Sequence, residues 1–158
     1  MPDVRPLTSK DRSWVRQRIC QEWGAEFVVA HGEIFHPDRL PGFCARRGEE
    51  ILGLITYQVR DEGCEIVTLN SWQKGLGVGS ALIEAVKQAA RGLGCKRLWL
   101  VTTNDNTSGL RFYQKCGFIL CALRPNAVAA SRLLKPEIPP TGEAGIPIRD
   151  EIELEMWL

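Results

Sequence analysis

The residues of this chain best suited to chemistry fall in two short runs. The first is Lys74-Gly75-Leu76-Gly77-Val78-Gly79-Ser80. Three alternating glycines let a backbone turn tightly and approach a ligand with no Cβ in the way. A helical pattern follows at once. A helix start presents unpaired N–H groups and the positive end of its dipole, which together make an anion site. Lys74 adds a positive charge at the same place. The second run is Asn106-Thr107-Ser108-Gly109-Leu110-Arg111-Phe112-Tyr113-Gln114-Lys115-Cys116-Gly117-Phe118, in which Asn106 and Tyr113 stand seven apart, near one face of a short helix. Glu65 begins an apolar, strand-like stretch and is an available carboxylate base; a period of two places it on one face with Val67 and Leu69. His31 and His36 are the only histidines, and neither has an acidic partner at triad or metal spacing.

Nucleotide readings of the glycine run are poor matches. A Walker A loop needs Gly-Lys-Ser/Thr at its end, and Gly79-Ser80 lacks that lysine. A dinucleotide fingerprint needs G-x-G-x-x-G inside a parallel β-α-β unit, whereas Gly75-x-Gly77-x-x-Ser80 is incomplete and follows strands that read as antiparallel. The six cysteines form no C-x-x-C and have no nearby histidine at metal spacing, so they read as small buried hydrophobes kept reduced in a cytoplasm, with no metal site.

The elements that must position these residues follow from pattern and punctuation. Asp3 to Leu7 reads as a strand, and Thr8 or Ser9 can cap the helix over Asp11 to Glu22, with Trp14, Val15, Ile19 and Cys20 near one face. Residues 25–41 stay ambiguous between strand and helix. Phe43 to Arg46, Ile51 to Val59 and Glu65 to Leu69 form an antiparallel meander with turns at Arg47–Glu50 and Asp61–Gly63. From Gly77 the period becomes helical, with Leu82, Val86, Ala89 and Leu93 on one face. Leu98 to Val101 reads as a strand covered on both faces. A helix over Thr107 to Lys115, a strand from Gly117 to about Leu123, a proline-rich loop over 125–147 with a short helix at Ala127 to Leu134, and a half-buried strand from Ile148 to Leu158 complete the chain. Trp14, Trp23 and Trp99 read as core, and Trp72 as a lid or surface anchor. The chain has 158 residues, 44% hydrophobic and 25% charged, which suits one folded domain over 1–158. A formal net charge of +1 gives no general electrostatic reason to bind nucleic acid or an anionic membrane, and no apolar run is long enough for a membrane helix.

Both runs resemble motifs of the GNAT N-acetyltransferase superfamily. Lys74, Gly77 and Gly79 fall on the three defined positions of its pyrophosphate motif Q/R-x-x-G-x-G/A, with lysine as a charge-preserving departure. Asn106 to Phe118 resembles N-x-x-A-x-x-(F/L)-Y-x-K-x-G-F, with Gly109 where alanine is common. The resemblance implies a mixed α/β fold: a mostly antiparallel sheet splayed between two parallel strands, helices on both faces. It also implies acetyl-CoA as donor, no metal, a small-molecule or peptide amine as acceptor that attacks the thioester directly through a tetrahedral intermediate, and a monomer or homodimer. Backbone amides from Lys74 to Ser80 hold the pyrophosphate in that reading. Pantetheine lies in the gap between Val67–Leu69 and the strand ending at Thr103, beside Asn106, with the Leu69 N–H aimed at the thioester carbonyl. Tyr113 occupies the usual position of the proton donor to the departing thiolate. The acceptor amine must lose a proton to a base or a water relay, and Glu65 is the candidate. Residues 25–41 and 125–147 then frame the acceptor, with Glu33, Glu137, Glu143 and Asp150 in or beside them. Two rivals remain: a non-catalytic acyl-CoA-binding regulatory module, and an ATP-binding protein for which no magnesium ligand set is evident.

Overall fold

A computed structural model describes residues 2–158. In chain order it forms β1 (Asp3–Pro6), α1 (Arg12–Trp23), β2 (Val28–Ala30), β3 (Glu33–Phe35), β4 (Gly42–Arg47), β5 (Glu50–Arg60), β6 (Gly63–Ser71), α2 (Val78–Gly92), β7 (Arg97–Thr103), α3 (Thr107–Lys115), β8 (Ile119–Arg124), α4 (Val128–Leu134) and β9 (Glu151–Trp157). Seven strands make one sheet in the order β1-β4-β5-β6-β7-β9-β8. Every neighbouring pair is antiparallel except β6–β7. A parallel pair needs a long crossover, and α2 supplies it.

Each face of the sheet has its own core. Leu82, Val86 and Ala90 of α2 are buried with Ile55, Ile66, Leu98, Leu100 and Phe118, and α3 packs against the same cluster. On the opposite face Val15 and Ile19 of α1 are buried with Val28, Phe35 and Leu54. Residues 25–41, ambiguous in sequence, resolve into the β2–β3 hairpin and a short 3-10 turn at Pro37–Arg39. Ala30 pairs with Glu33, so His31 and Gly32 form a two-residue loop, both with positive φ (40° and 78°) as a primed hairpin turn requires.

Five expectations need correction. Leu93 is the C-cap of α2, just beyond its last residue, and is exposed. β7 is not covered on both faces: Leu98 and Leu100 are buried while Trp99 and Val101 are half-buried, because only the small hairpin lies over that side. Trp23, the last residue of α1, is exposed rather than core. Trp72 is no free lid: its indole N–H donates to Glu22 Oε1 at 2.8 Å and Arg18 stacks 4.2 Å above its ring. All six cysteines are unpaired, as expected, but Cys121 is exposed on β8 and only Cys44, Cys64 and Cys95 are buried. Burial pushes the Cys64 thiol up to about 12, so it stays protonated at neutral pH.

Asp11 ties the start of α1 to β1. Its carboxylate accepts from Arg5 at 3.0 and 3.1 Å, from the Thr8 N–H at 2.7 Å and from the Trp14 indole at 2.8 Å. Burial alone would raise its pKa, but these donors hold it far below the ordinary carboxylate range. A depressed folded-state pKa means stability that is present above the unfolded pKa and lost as the pH falls through the folded one. Asp11→Asn is therefore expected to destabilise by about 2 kcal/mol at neutral pH, the scale of lost hydrogen bonds to a charge. In urea titrations from pH 7 down to pH 2 the gap from wild type should close with acid. A gap that stays constant with pH would disprove the ionic origin.

Candidate active site

The glycine run leaves β6 and opens α2, and each glycine has its own reason. Gly75 and Gly77 sit at φ 82° and 68°, the left-handed region, and Gly77 is the residue capping α2. Gly79 is buried against α3: a Cβ there would lie 2.9 Å from Cζ of Phe112. Val78 between them is buried over Gly53, where a Cβ would come within 2.5 Å of its Cγ1. The helix start is thus wedged against both β5 and α3. Its first amides lack intrahelical acceptors. They border a cavity of about 470 Å³ shared with Leu69, Lys74, Asn106 and Tyr113.

A second opening adjoins the first. β6 and β7 pair only through Gly63–Arg97, Cys64–Leu98 and Glu65–Trp99. Beyond Glu65 the strands part, β6 staying with β5 and β7 with β9. One edge of β6 therefore carries backbone groups with no strand beside them. The gap is a cavity of about 420 Å³ lined by Val67, Leu69, Thr103 and the hairpin residues Val28 to Ala30. Leu69, Asn106 and Tyr113 border both cavities, so the cradle and the cleft are continuous.

A β-bulge sits inside this cleft. Thr56 pairs with Thr68 but Tyr57 pairs with Ile66, which leaves Val67 as the extra residue. The period of two breaks there. Val67 packs with the α1 core and Leu69 with the α2 core, so Glu65, Val67 and Leu69 do not share one face as the alternation predicts.

Tyr113 and Asn106 stand where the cavities meet. The Tyr113 ring is held edge-to-face by Phe112 and Phe118 at 5.6 and 5.9 Å between centroids. Burial pushes its phenol up to about 12, which keeps the O–H a donor at neutral pH. Asn106 caps α3, its Oδ1 accepting from the Gly109 N–H at 3.2 Å and its Nδ2 donating to Thr102 Oγ1 at 2.9 Å. A Cβ at Gly109 would lie 2.2 Å from Asn106 Nδ2, so a larger residue there would require the Asn106 side chain to shift.

At the closed end of the cleft the hairpin tip reaches the sheet. His31 Nε2 lies 2.7 Å from Glu65 Oε2, and Glu151 Oε2 accepts the His31 backbone N–H at 2.9 Å. The imidazole is flanked by Phe35 and Trp99 at 5.7 and 5.5 Å. Its hydrogen bond to Glu65 raises its pKa, burial opposes this, and the charges of Glu65, Glu33 and Glu151 add to the rise.

A sequence model described as the Acetyltransferase (GNAT) family matches residues 5–118. The chain belongs to the GNAT acetyltransferase family. The Bacillus subtilis (strain 168) protein YdhI is 44% identical over 135 residues, 85% of this chain and 84% of that one. Among solved structures, the IAA acetyltransferase from Bacillus cereus ATCC 14579 matches with a TM-score of 0.74 at 22% identity, covering the whole of both chains. A GNAT family acetyltransferase from Elizabethkingia anophelis with acetyl-CoA bound matches with a TM-score of 0.71 at 23% identity, over 99% of this chain and 98% of that one. These two likenesses are of fold, and the splayed sheet expected from the GNAT resemblance is the sheet found.

Within this GNAT fold most of the predicted site residues gather in one place. Lys74, Gly75, Gly77, Val78, Gly79, Ser80, Leu69, Asn106 and Tyr113 border the cradle, and Val67 and Thr103 border the cleft. Leu76 is exposed and borders neither cavity. Glu65 also borders neither: it touches His31 at the last rung of β6–β7 pairing and lines a separate cavity of about 410 Å³ with Gln58, Arg60, Trp99 and Trp157. Ser71, Gln73, Ser108 and Phe112 also border the cradle and were not singled out in the sequence. His31 was passed over because its partner is 34 residues away. Three of the four loop acids are engaged by other side chains: Glu33 pairs with Arg60, Glu143 accepts from Thr107 and Ser108, and Asp150 pairs with Arg149.

Proposed function

We propose that this protein transfers an acetyl group from acetyl-CoA to a primary amine of a small molecule or peptide, by direct attack of the amine through a tetrahedral intermediate. The observation that carries this reading is the continuity of the glycine cradle with the parted-strand cleft, with Tyr113 at their junction. The cradle supplies what a pyrophosphate needs: amides of a helix start, open backbone at Gly75 and Gly77, and the Lys74 cation. The unpaired edge of β6 suits an extended, amide-bearing pantetheine arm, which can pair with it as a strand does. In this reading the Leu69 N–H stabilises the oxyanion of the tetrahedral intermediate, where one lost donor costs ~3–4 kcal/mol. Tyr113 donates to the departing sulfur, and Glu65 removes the proton of the amine. Asn106 holds the start of α3 beside the cofactor, and Val67 and Thr103 line its channel. Six unpaired thiols suit a reducing cytoplasm.

The test is thermal unfolding with acetyl-CoA, CoA and ATP, on wild type and Lys74→Glu. Ligand at ~100-fold over Kd stabilises the native state by about 2.7 kcal/mol. For a chain of this length that is a rise in Tm of about 5–10 °C. Both CoA species are expected to give it in wild type and to lose most of it in Lys74→Glu, while ATP gives none. No shift with either CoA species at millimolar concentration would overturn the reading. Binding without thiol release in an amine screen would favour the non-catalytic acyl-CoA module.

A further inference from the structure

His31 is sent by the hairpin tip into the sheet, and the fold goes to some length to hold it. Its backbone is in the left-handed region, an unusual conformation for a residue with a Cβ. Gly32 completes the turn, Glu151 fixes the His31 N–H, and Arg60 grips Glu33 on the next residue with two contacts of 3.0 Å. Phe35 and Trp99 confine the ring so that Nε2 meets Glu65 Oε2. This contact lies at the last rung of β6–β7 pairing, where the cleft closes. The Glu65 side chain is only 6% exposed and that of His31 17%, so the imidazole is the more open route from this carboxylate to bulk water.

We propose that His31 is a positioning residue that acts through Glu65, orienting its carboxylate and taking on the proton that Glu65 removes from the attacking nucleophile. This deepens the acetyl-transfer reading and rests on it. The proton leaves the acceptor N–H (or O–H, where water attacks) for the Glu65 carboxylate. It passes from Oε2 to neutral His31 Nε2, leaving an imidazolium that releases it to solvent. Glu65 ends ionised, as it began, and nothing is oxidised or reduced.

The ionisable groups facing His31 are Glu65 from β6, Glu33 from β3 and Glu151 from β9, all acidic, with Arg60 bound to Glu33 and Arg97 lying over the far ring, Trp99, at 5.1 Å. They raise the pH at which the imidazole becomes neutral. The relay is blocked while His31 is already protonated, so turnover rises with pH through that raised pKa.

Acetyl-CoA hydrolysis is the test, because water as acceptor does not titrate in this range. Wild type should show a low-pH limb of slope one with its midpoint above the ordinary imidazole value of about 6.5. His31→Gln keeps an N–H donor for Glu65 but cannot titrate. The imidazole limb should be lost and the plateau fall about tenfold, a part of what a positioned acid–base group supplies, with acetyl-CoA affinity unchanged. Imidazole NMR reads the pair without turnover: the His31 midpoint should fall in Glu65→Gln. Superimposable profiles for wild type and His31→Gln, or a His31 midpoint indifferent to Glu65→Gln, would overturn the proposal. So would acetyl-CoA binding with no hydrolysis above the enzyme-free rate. Failure to bind acetyl-CoA at all would instead remove the acetyl-transfer reading beneath it.

Discussion

Tyr113→Phe is expected to lower kcat for acetyl transfer by about 10²-fold with acetyl-CoA affinity nearly unchanged. The size follows from deciding what kind of donor the phenol is. Its pKa near 12 makes it a far weaker acid than an ordinary thiol at about 8.5. Complete proton transfer to a departing thiolate is uphill, so the hydroxyl acts chiefly as a hydrogen-bond donor to developing charge. Loss of one such preorganised donor costs on the order of 10²–10³ in kcat. The ring itself is fixed by Phe112 and Phe118, and phenylalanine keeps both contacts. Thermal unfolding should therefore stay close to wild type, which separates lost chemistry from lost structure. The measurement is thiol release at saturating acetyl-CoA across pH 6 to 9. An unchanged kcat would remove Tyr113 from the reaction and leave it a packing residue.

What could be seen in the sequence was local, and what could not was set by contacts between distant segments. The cradle needs only neighbours: glycines before a helix start, and an asparagine three residues ahead of the amide that it caps. The meander and the crossover helix were legible for the same reason, since each turn and change of period is written within a few residues. The bulge at Val67 was not. It depends on a one-residue mismatch between β5 and β6, and no sequence period reports it. It matters to the site because it turns Leu69 away from the face of Glu65 and Val67.

The hairpin was obscure because strands of three residues are too short to show alternation, and its stability comes from outside itself. Lys135 is buried, its Nζ donating to the Phe27 carbonyl at 3.1 Å just ahead of β2, while Glu33 and His31 are tied to β5, β6 and β9. Burial lowers the Lys135 pKa, though nearby Glu137 and Cys20 oppose this. The half-buried state of Trp99 and Val101 has the same origin, since the cover of β7 is a tip held by polar contacts rather than a helix. A sheet that stops pairing at Glu65 needs such a cover, and it brings an imidazole with it.

Gly77→Val should weaken acetyl-CoA binding by at least 10²-fold. Crowding is not the reason, because nothing lies within 4 Å of a Cβ placed there. The reason is the backbone, at φ 68° and ψ 22°, which a β-branched residue adopts only at a cost of about 1–3 kcal/mol. Relief by moving the helix start is blocked, since Val78 is wedged over Gly53 and Gly79 lies on Phe112. The strain must go instead into Gly75-Leu76-Gly77, turning amides away from the cavity. Two misdirected donors to a charged phosphate, at about 1.5–3 kcal/mol each, account for a loss of 10² to 10⁴ in affinity. Gly77→Asn is the matched control, because asparagine enters the left-handed region routinely. It adds comparable bulk in the same open space and should bind within about tenfold of wild type. Calorimetric titration of acetyl-CoA into the three proteins decides the matter. Equal losses in both variants would point to bulk at the cradle mouth, and no loss in Gly77→Val would place the pyrophosphate elsewhere.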